Sequence, residues 1–175
     1  RRASLNFPKW LLGAWGKAYG KEKVEEFLPF LLAQPALDLT VKNGFRFQES
    51  GDGDNPESRI LNPISLHNGT IRLKEYGNIQ EMQGYAEGNW WVQDAASAMA
   101  VPMLGDVKGT KVLDMCAAPG GKTAQLCDAG AVVTAVDDSP RRLERLKENM
   151  ARLKFNPTVI CADAKEVKEI GRAHV

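Results

Sequence analysis

Residues 112–123 read VLDMCAAPGGKT, and this stretch decides the fold class of the chain. An apolar run ends in the acid Asp114 and then passes through small residues into a predicted helix. Small residues allow a ligand to approach the backbone, and the first N–H groups of a helix offer polar contacts to it. The stretch therefore predicts a strand, a ligand-binding loop and a helix.

A second apolar run, at residues 131–136, ends in Asp137-Asp138. The two runs together predict the opening βαβ unit of a doubly wound nucleotide-binding fold, in which an acid after the second strand receives the ribose hydroxyls. Asp137 is the predicted acceptor. Ser139-Pro140 then has the sequence of a helix start, and residues 158–161 predict a third strand.

The first 88 residues have a different pattern. Apolar residues at helical spacing predict two helices before Pro35. Alternation over residues 37–41 predicts a strand, and Phe45 and Phe47 are expected to begin the next one. Asn68-Gly69 predicts a type I′ hairpin. A glycine-rich loop is predicted at residues 51–56. We therefore predict a small α+β domain at residues 1–88 and an α/β domain at residues 89–175, with a helix capped by Asp94 bridging them.

Composition excludes several classes of protein. The chain has 175 residues with 23 basic and 22 acidic side chains, so no global field attracts a polyanion. Three cysteines and two histidines, widely spaced, argue against a disulfide framework and a zinc site. No apolar run approaches the ~18 residues of a membrane helix. We expect a cytoplasmic protein with no metal and no membrane partner, and, because position 1 is not Met, a fragment.

Three interpretations compete for the loop between the first parallel strand and its helix, at residues 116–122. Gly121-Lys122-Thr123 resembles the end of a nucleotide-binding P-loop, but Cys116 stands where that motif has its first glycine, and Pro119 lacks an N–H donor. A nicotinamide or flavin site would have Gly-x-Gly-x-x-Gly directly after the strand, which is absent. The third interpretation is a site for S-adenosylmethionine.

That third interpretation comes with a family resemblance. The string DMCAAPGGKT at residues 114–123 resembles the first motif of the bacterial RNA (cytosine-5) methyltransferases, in particular the 16S rRNA enzymes of the Sun/Fmu type. The stretch WVQDAAS at residues 91–97 and the pair Val136-Asp137 continue the resemblance, which extends to residues 7–11 and 35–41. It implies an α/β fold, a partial Rossmann-like methyltransferase sheet preceded by the small domain, which would bind RNA.

The resemblance also implies site residues. Asp137 would accept the ribose hydroxyls of S-adenosylmethionine, and Asp163 would accept the adenine amino group. The loop that would wrap the methionine and ribose parts consists of Cys116, Ala117, Ala118, Pro119, Gly120, Gly121 and Lys122.

Members of this family methylate C5 of a cytidine after a cysteine thiolate adds to C6. Their cysteines follow Asp-Ala-Pro on one strand and Thr or Pro on the next, and neither string occurs here. We therefore assign no catalytic role to Cys116, Cys127 or Cys161. About seven strands are expected in such a sheet and about three fit here. The chain is interpreted as the cofactor-binding part of a ribosomal RNA methyltransferase; the alternative is a non-catalytic RNA- or cofactor-binding module.

Candidate RNA contacts are basic. The helix after Ser139 is rich in arginine and lysine, which we interpret as a solvated face with a Glu148–Arg152 pair. Trp90 and Trp91 are interpreted as packing residues, although such rings can stack on bases. The preferred RNA-binding cations are those of the small domain: Lys17, Lys21, Lys23, Arg46, Arg59, Arg72 and Lys74.

Overall fold

A computed structural model describes residues 3–47 and 63–167. The loop predicted at residues 51–56 and the candidate cation Arg59 lie outside these residues. The chain divides into two compact units, Arg1–Pro35 and Ala36–Val175.

The first unit is a pair of helices. A 3-10 turn at Ala3–Asn6 precedes α1 (Lys9–Tyr19) and α2 (Lys21–Leu32), so both predicted helices are confirmed. The ring of Trp15 makes edge-to-face contacts with Phe7 and Phe27 at centroid distances of 5.7 and 5.3 Å, an arrangement that favours aromatic packing.

The second unit begins with a four-stranded antiparallel sheet. It contains β1 (Leu37–Val41), β2 (Ile64–Ser65), β3 (Ile71–Leu73) and β4 (Trp90–Val92) in the order β2-β3-β1-β4. A 3-10 turn at Ile79–Glu81 precedes β4.

Two details of this sheet correct the sequence predictions. The β2–β3 turn is not type I′, because that turn needs positive φ at two residues and here Gly69 alone has it, at +80°. Phe45 and Phe47 do not begin a strand; they lie in an irregular segment, in contact with each other.

A three-stranded parallel sheet follows. It consists of β5 (Lys111–Met115), β6 (Val132–Asp137) and β7 (Thr158–Cys161) in that order, joined by α4 (Gly121–Asp128) and α5 (Pro140–Arg152). This confirms the predicted βαβ unit and third strand. A short helix α3 (Ala95–Ala98) and a 3-10 turn (Pro102–Leu104) connect the two sheets.

Contacts between the two sheets are close. Trp91 is 3% exposed and belongs to the core that covers one face of α5, and Trp90 is fully buried, so both indoles are packing residues. At Gly88 an added Cβ would lie 2.1 Å from the carbonyl oxygen of Arg152. The Arg152 guanidinium donates to the carbonyls of Tyr85 and Trp90, so the predicted pair with Glu148 is wrong. The domain boundary at residue 88 stays a prediction, and contacts cross it.

Candidate cofactor-binding site

A cavity of about 250 Å³ lies between the β5–α4 loop and the segment that follows β4. One wall comes from the last residue of β4 and the segment that follows it: Val92, Gln93, Asp94 and Ser97. The other comes from β5, the loop and the start of α4: Asp114, Cys116, Ala117, Ala118, Pro119, Gly121 and Lys122. Six of the seven predicted loop residues therefore line one cavity.

The exception, Gly120, faces the other way. Its φ is +104°, and an added Cβ would lie 3.0 Å from Cε of Met150 and 3.2 Å from Cγ of Leu146. The glycine thus allows the loop backbone to lie directly on α5. The loop is also held to β6, because the Ala117 N–H donates to the carbonyl of Val136 at 3.0 Å.

Asp114, which lines the cavity, was not predicted as a site residue. It is 9% exposed, and the Thr123 hydroxyl donates to its Oδ2 at 2.6 Å. Burial raises the pKa of Asp114, and the Thr123 hydrogen bond and the charge of Lys122 offset part of that rise. The available signal was its place at the carboxyl end of the first parallel strand, where ligands bind in such sheets.

The same hydrogen bond argues against the P-loop interpretation. In a P-loop the Ser or Thr hydroxyl binds a magnesium ion. Here Thr123 is fully buried and its hydroxyl is committed to Asp114. The geometry therefore lacks the exposed hydroxyl that magnesium-nucleotide binding needs.

Asp137 lies behind the loop, and the described lining of the cavity does not include it. Its side chain is inaccessible to solvent. Oδ1 accepts from the Ser139 N–H at 3.1 Å and from Arg142 Nη2 at 2.7 Å, and Oδ2 accepts from the Ala118 N–H at 3.2 Å. Burial acts to raise the pKa of Asp137, but these hydrogen bonds outweigh it and the pKa lies below its usual value.

Asp163 is exposed and lies two residues beyond β7. Its Oδ1 accepts from the Lys165 N–H at 3.0 Å. The end of β7 is close to Asp137, because the Ala162 N–H donates to the Asp137 carbonyl at 3.2 Å. The structure thus connects Asp137 to the loop, whereas Asp163 is not among the described residues that line the cavity.

A chain of side-chain hydrogen bonds supports the other wall. The Trp91 indole N–H donates to Oε1 of Gln93 at 2.8 Å, Gln93 donates to Gln125 at 3.0 Å, and Gln125 donates to the carbonyl of Ala98 at 2.7 Å. Because Trp91 and Gln93 are buried, Gln125 is partly buried and each group is paired, this chain of hydrogen bonds fixes β4, α3 and α4 relative to one another.

The first turn of α3 is also held from two sides. The Asp94 carboxylate caps α3 by accepting from the N–H groups of Ala96 and Ser97, as predicted. Asp38, buried and paired in a two-bond contact with Arg72, accepts the N–H of Ala95. Arg72, a candidate RNA contact, thus has a structural partner.

The cysteines differ in environment. Cys116 and Cys161 are exposed, and Cys116 alone lines the cavity. Burial, with the nearby charges of Asp114 and Asp128, raises the pKa of the Cys127 thiol to about 11. Cys127 is therefore a poor nucleophile at neutral pH.

Among residues 3–47 and 63–167, no helix is long and apolar enough to cross a membrane. The same residues contain no group of three His, Cys, Asp or Glu side chains suited to a metal ion.

Comparison with known proteins places this site in a family. A family profile described as "16S rRNA methyltransferase RsmB/F" matches residues 101–174, which contain the loop and both predicted cofactor acids. The matched segment belongs to the RsmB/F family. It is 42% identical to a ribosomal RNA small subunit methyltransferase B of Vibrio cholerae over 108 residues, 61% of this chain and 25% of that protein. A protein of the same name from Serratia proteamaculans is 37% identical over 161 residues, 90% of this chain and 37% of that one.

Solved structures confirm the Rossmann-like fold. The crystal structure of PH0851 superposes with a TM-score of 0.64 at 22% identity, covering 91% of this chain and 37% of that one. The crystal structure of NSun6 from Pyrococcus horikoshii with SFG gives a TM-score of 0.57 at 17% identity, covering 94% and 68%. The chain spans about a quarter to two fifths of the length of the RsmB/F relatives described above.

Proposed function

We propose that this chain supplies the cofactor-binding part of an S-adenosylmethionine-dependent RNA cytosine-5 methyltransferase that acts on 16S ribosomal RNA in the cytoplasm. The observation that carries the proposal is the cavity, where the RsmB/F loop meets the segment after β4. The names of the relatives support ribosomal RNA as the substrate. The solved NSun6 structure with SFG supports a nucleoside ligand in this fold.

The residues in the cavity fit the charges of that cofactor. S-adenosylmethionine supplies a methyl group on a positively charged sulfur and carries an amine and a carboxylate at its methionine end. Asp94 and Asp114 offer acceptors for the positive groups, and Lys122 offers a cation for the carboxylate. Small side chains at residues 116–121 leave the loop backbone open to the ligand.

The two remaining acids would hold the nucleoside. In Asp137, Oδ1 accepts two hydrogen bonds and Oδ2 accepts one, so one acceptor position on Oδ2 is left for a ribose hydroxyl. The Ala118 N–H takes the other position on Oδ2, so Asp137 would hold the ribose and the loop together. Asp163 would accept the adenine amino group, as the family resemblance implies.

None of the three cysteines is proposed as the nucleophile. Cys116 belongs to the cofactor loop, Cys127 has a raised pKa, and Cys161 ends β7. The thiolate that adds to C6 of the cytidine would come from the Pro-Cys strings of the family, which this chain lacks. Its own contribution is to bind and orient the cofactor.

Calorimetric titration tests the cofactor. We expect saturable binding of S-adenosylmethionine and none of ATP with magnesium. Lys122→Ala should weaken binding several-fold because it removes the cation in the cavity, whereas Lys147→Ala, on the ion-paired outer face of α5, should not. Binding of magnesium-ATP without binding of S-adenosylmethionine would reject the proposal.

RNA contact is tested by gel mobility of 16S ribosomal RNA. Because Arg72 pairs with Asp38, Lys74, which is exposed and directly follows β3, is the better candidate. Lys74→Glu should weaken RNA binding, and the loss of affinity should be largest in low salt because phosphate contacts are salt-dependent. An unchanged mobility shift would exclude Lys74 as an RNA contact.

A further inference from the structure

The carboxylate of Asp137 joins two parts of the molecule that the cofactor site needs. Its Oδ1 faces the start of α5, where it accepts from the Ser139 N–H and from Arg142. Its Oδ2 faces the loop, where it accepts the N–H of Ala118. A rotation of this carboxylate would break contacts on both sides at once.

Arg142 is the charged member of this arrangement. Its Nη2 lies 2.7 Å from Oδ1 of Asp137 and 3.3 Å from Asp138, whereas the Asp137 side chain is inaccessible and the Asp138 side chain is 74% exposed. The short contact to the buried partner is the stronger one, because solvent screens the other. Arg142 itself is fixed on the first turn of α5, where its N–H donates to the Ser139 hydroxyl.

We propose that Arg142 is a positioning residue for the cofactor site: its guanidinium holds Oδ1 of Asp137 so that Oδ2 fixes the loop at Ala118. This inference rests on the proposed function. Nothing in the arrangement requires Arg142 to touch the cofactor. Its effect on the cofactor passes through the carboxylate and the loop backbone.

The arrangement also predicts how binding responds to pH. The pKa of Asp137 lies below its usual value because its hydrogen bonds outweigh its burial, so the carboxylate stays ionised as the pH falls to mildly acidic values. Without Arg142 the burial remains and one of these hydrogen bonds is lost, so protonation occurs at higher pH. Among the described residues, the other ionisable groups next to this carboxylate are Asp138 in the chain, Cys161 opposite it on β7, and Asp163 just beyond β7.

The test compares Arg142→Gln with Arg145→Gln, which removes the same charge from an exposed position one turn along α5. Affinity for S-adenosylmethionine is measured by calorimetry from about pH 8 to about pH 5, the range in which a perturbed Asp titrates. We expect Arg142→Gln to bind about tenfold more weakly at neutral pH, as for a lost charge-assisted hydrogen bond, and to lose more affinity as the pH falls. Arg145→Gln and the wild type should keep a flat profile.

Each outcome decides between possibilities. If the wild type binds and Arg142→Gln has the affinity and pH profile of Arg145→Gln, the positioning role is wrong and the proposed function stands. If the wild type does not bind S-adenosylmethionine, both fail. Should Arg142→Gln not fold by circular dichroism, Arg142→Lys replaces it: a several-fold loss supports the role, and wild-type affinity overturns it.

Discussion

Two adjacent glycines in the loop should respond to alanine in opposite ways. Gly120 has φ of +104°, and its added Cβ would lie 3.0 Å from Met150 and 3.2 Å from Leu146. Gly121 has no such backbone strain, and its added Cβ would meet Gln93 at 3.5 Å, an ordinary contact distance. The pair differs by one position in sequence and by the face of the loop it presents.

The structure sets the size of the Gly120→Ala effect. A non-glycine residue in the left-handed region costs about 1–2 kcal/mol. Forcing a methyl group into the packed contact with Met150 and Leu146 costs about 1–3 kcal/mol. We therefore expect a loss of about 2–5 kcal/mol in the free energy of unfolding, or ~5–20 °C in Tm for a unit of this size. Gly121→Ala should leave stability unchanged or raise it by up to about 1 kcal/mol, because alanine is the better helix former.

Thermal unfolding followed by circular dichroism measures both variants, and calorimetry measures their affinity for S-adenosylmethionine. Gly120→Ala should also bind weakly, since the loop backbone has to move away from α5. A Tm for Gly120→Ala within about 1 °C of the wild type, against the strain expected for that backbone, would refute the reasoning. An equal loss in Gly121→Ala would refute it as well, because the loop would then be intolerant of any side chain.

Two further predictions concern the chemistry of the cavity. With iodoacetamide at pH 8, Cys116 should be alkylated readily and Cys127 at least tenfold more slowly, because a pKa of about 11 leaves little thiolate; S-adenosylmethionine should protect Cys116, and mass spectrometry distinguishes the sites. Asp114→Asn should raise Tm at pH 7 relative to the wild type but weaken cofactor binding several-fold. The reason is that burial makes the pKa of Asp114 higher in the folded chain than in the unfolded chain. Such a carboxyl group stabilises the fold at pH values below its unfolded-state pKa, and this contribution is lost as the pH rises through its folded-state pKa. A Tm advantage that is largest at low pH would contradict this sign.

The parallel half of the fold could be predicted from local signals. Ser139 caps α5 with its hydroxyl, and Gly130 ends α4 with φ of +83°, both as expected from the sequence. These signals involve neighbours within a few residues of each other, so the sequence displays them directly. The turn at Asn68-Gly69 was wrong in type because the hairpin dipeptide also occurs where one residue alone takes positive φ.

The site was predicted less completely because its remaining parts depend on distant residues. Six of the seven predicted loop residues line one cavity, but Asp114 lines it too, and its buried carboxylate is paired with Thr123, nine residues further along the chain. The burial of Asp137 depends on Ala118 and Arg142, which come from opposite sides of it in sequence. The spacing of acids cannot show which of them keeps a solvent-facing oxygen.

The cavity has one wall from each sheet, which bears on where the binding unit begins. The family profile starts at residue 101, whereas Gln93 and Asp94 line the cavity and β4 pairs with β1 through Thr40 and Trp91. A segment that began at residue 101 would lose the wall that contains Gln93 and Asp94. A segment that began at residue 89 would keep this wall but lose β1, the strand that pairs with β4. The Serratia relative matches 90% of this chain, so its similarity includes the antiparallel sheet. We therefore interpret the antiparallel sheet as part of the cofactor site, whichever RNA contacts it also makes.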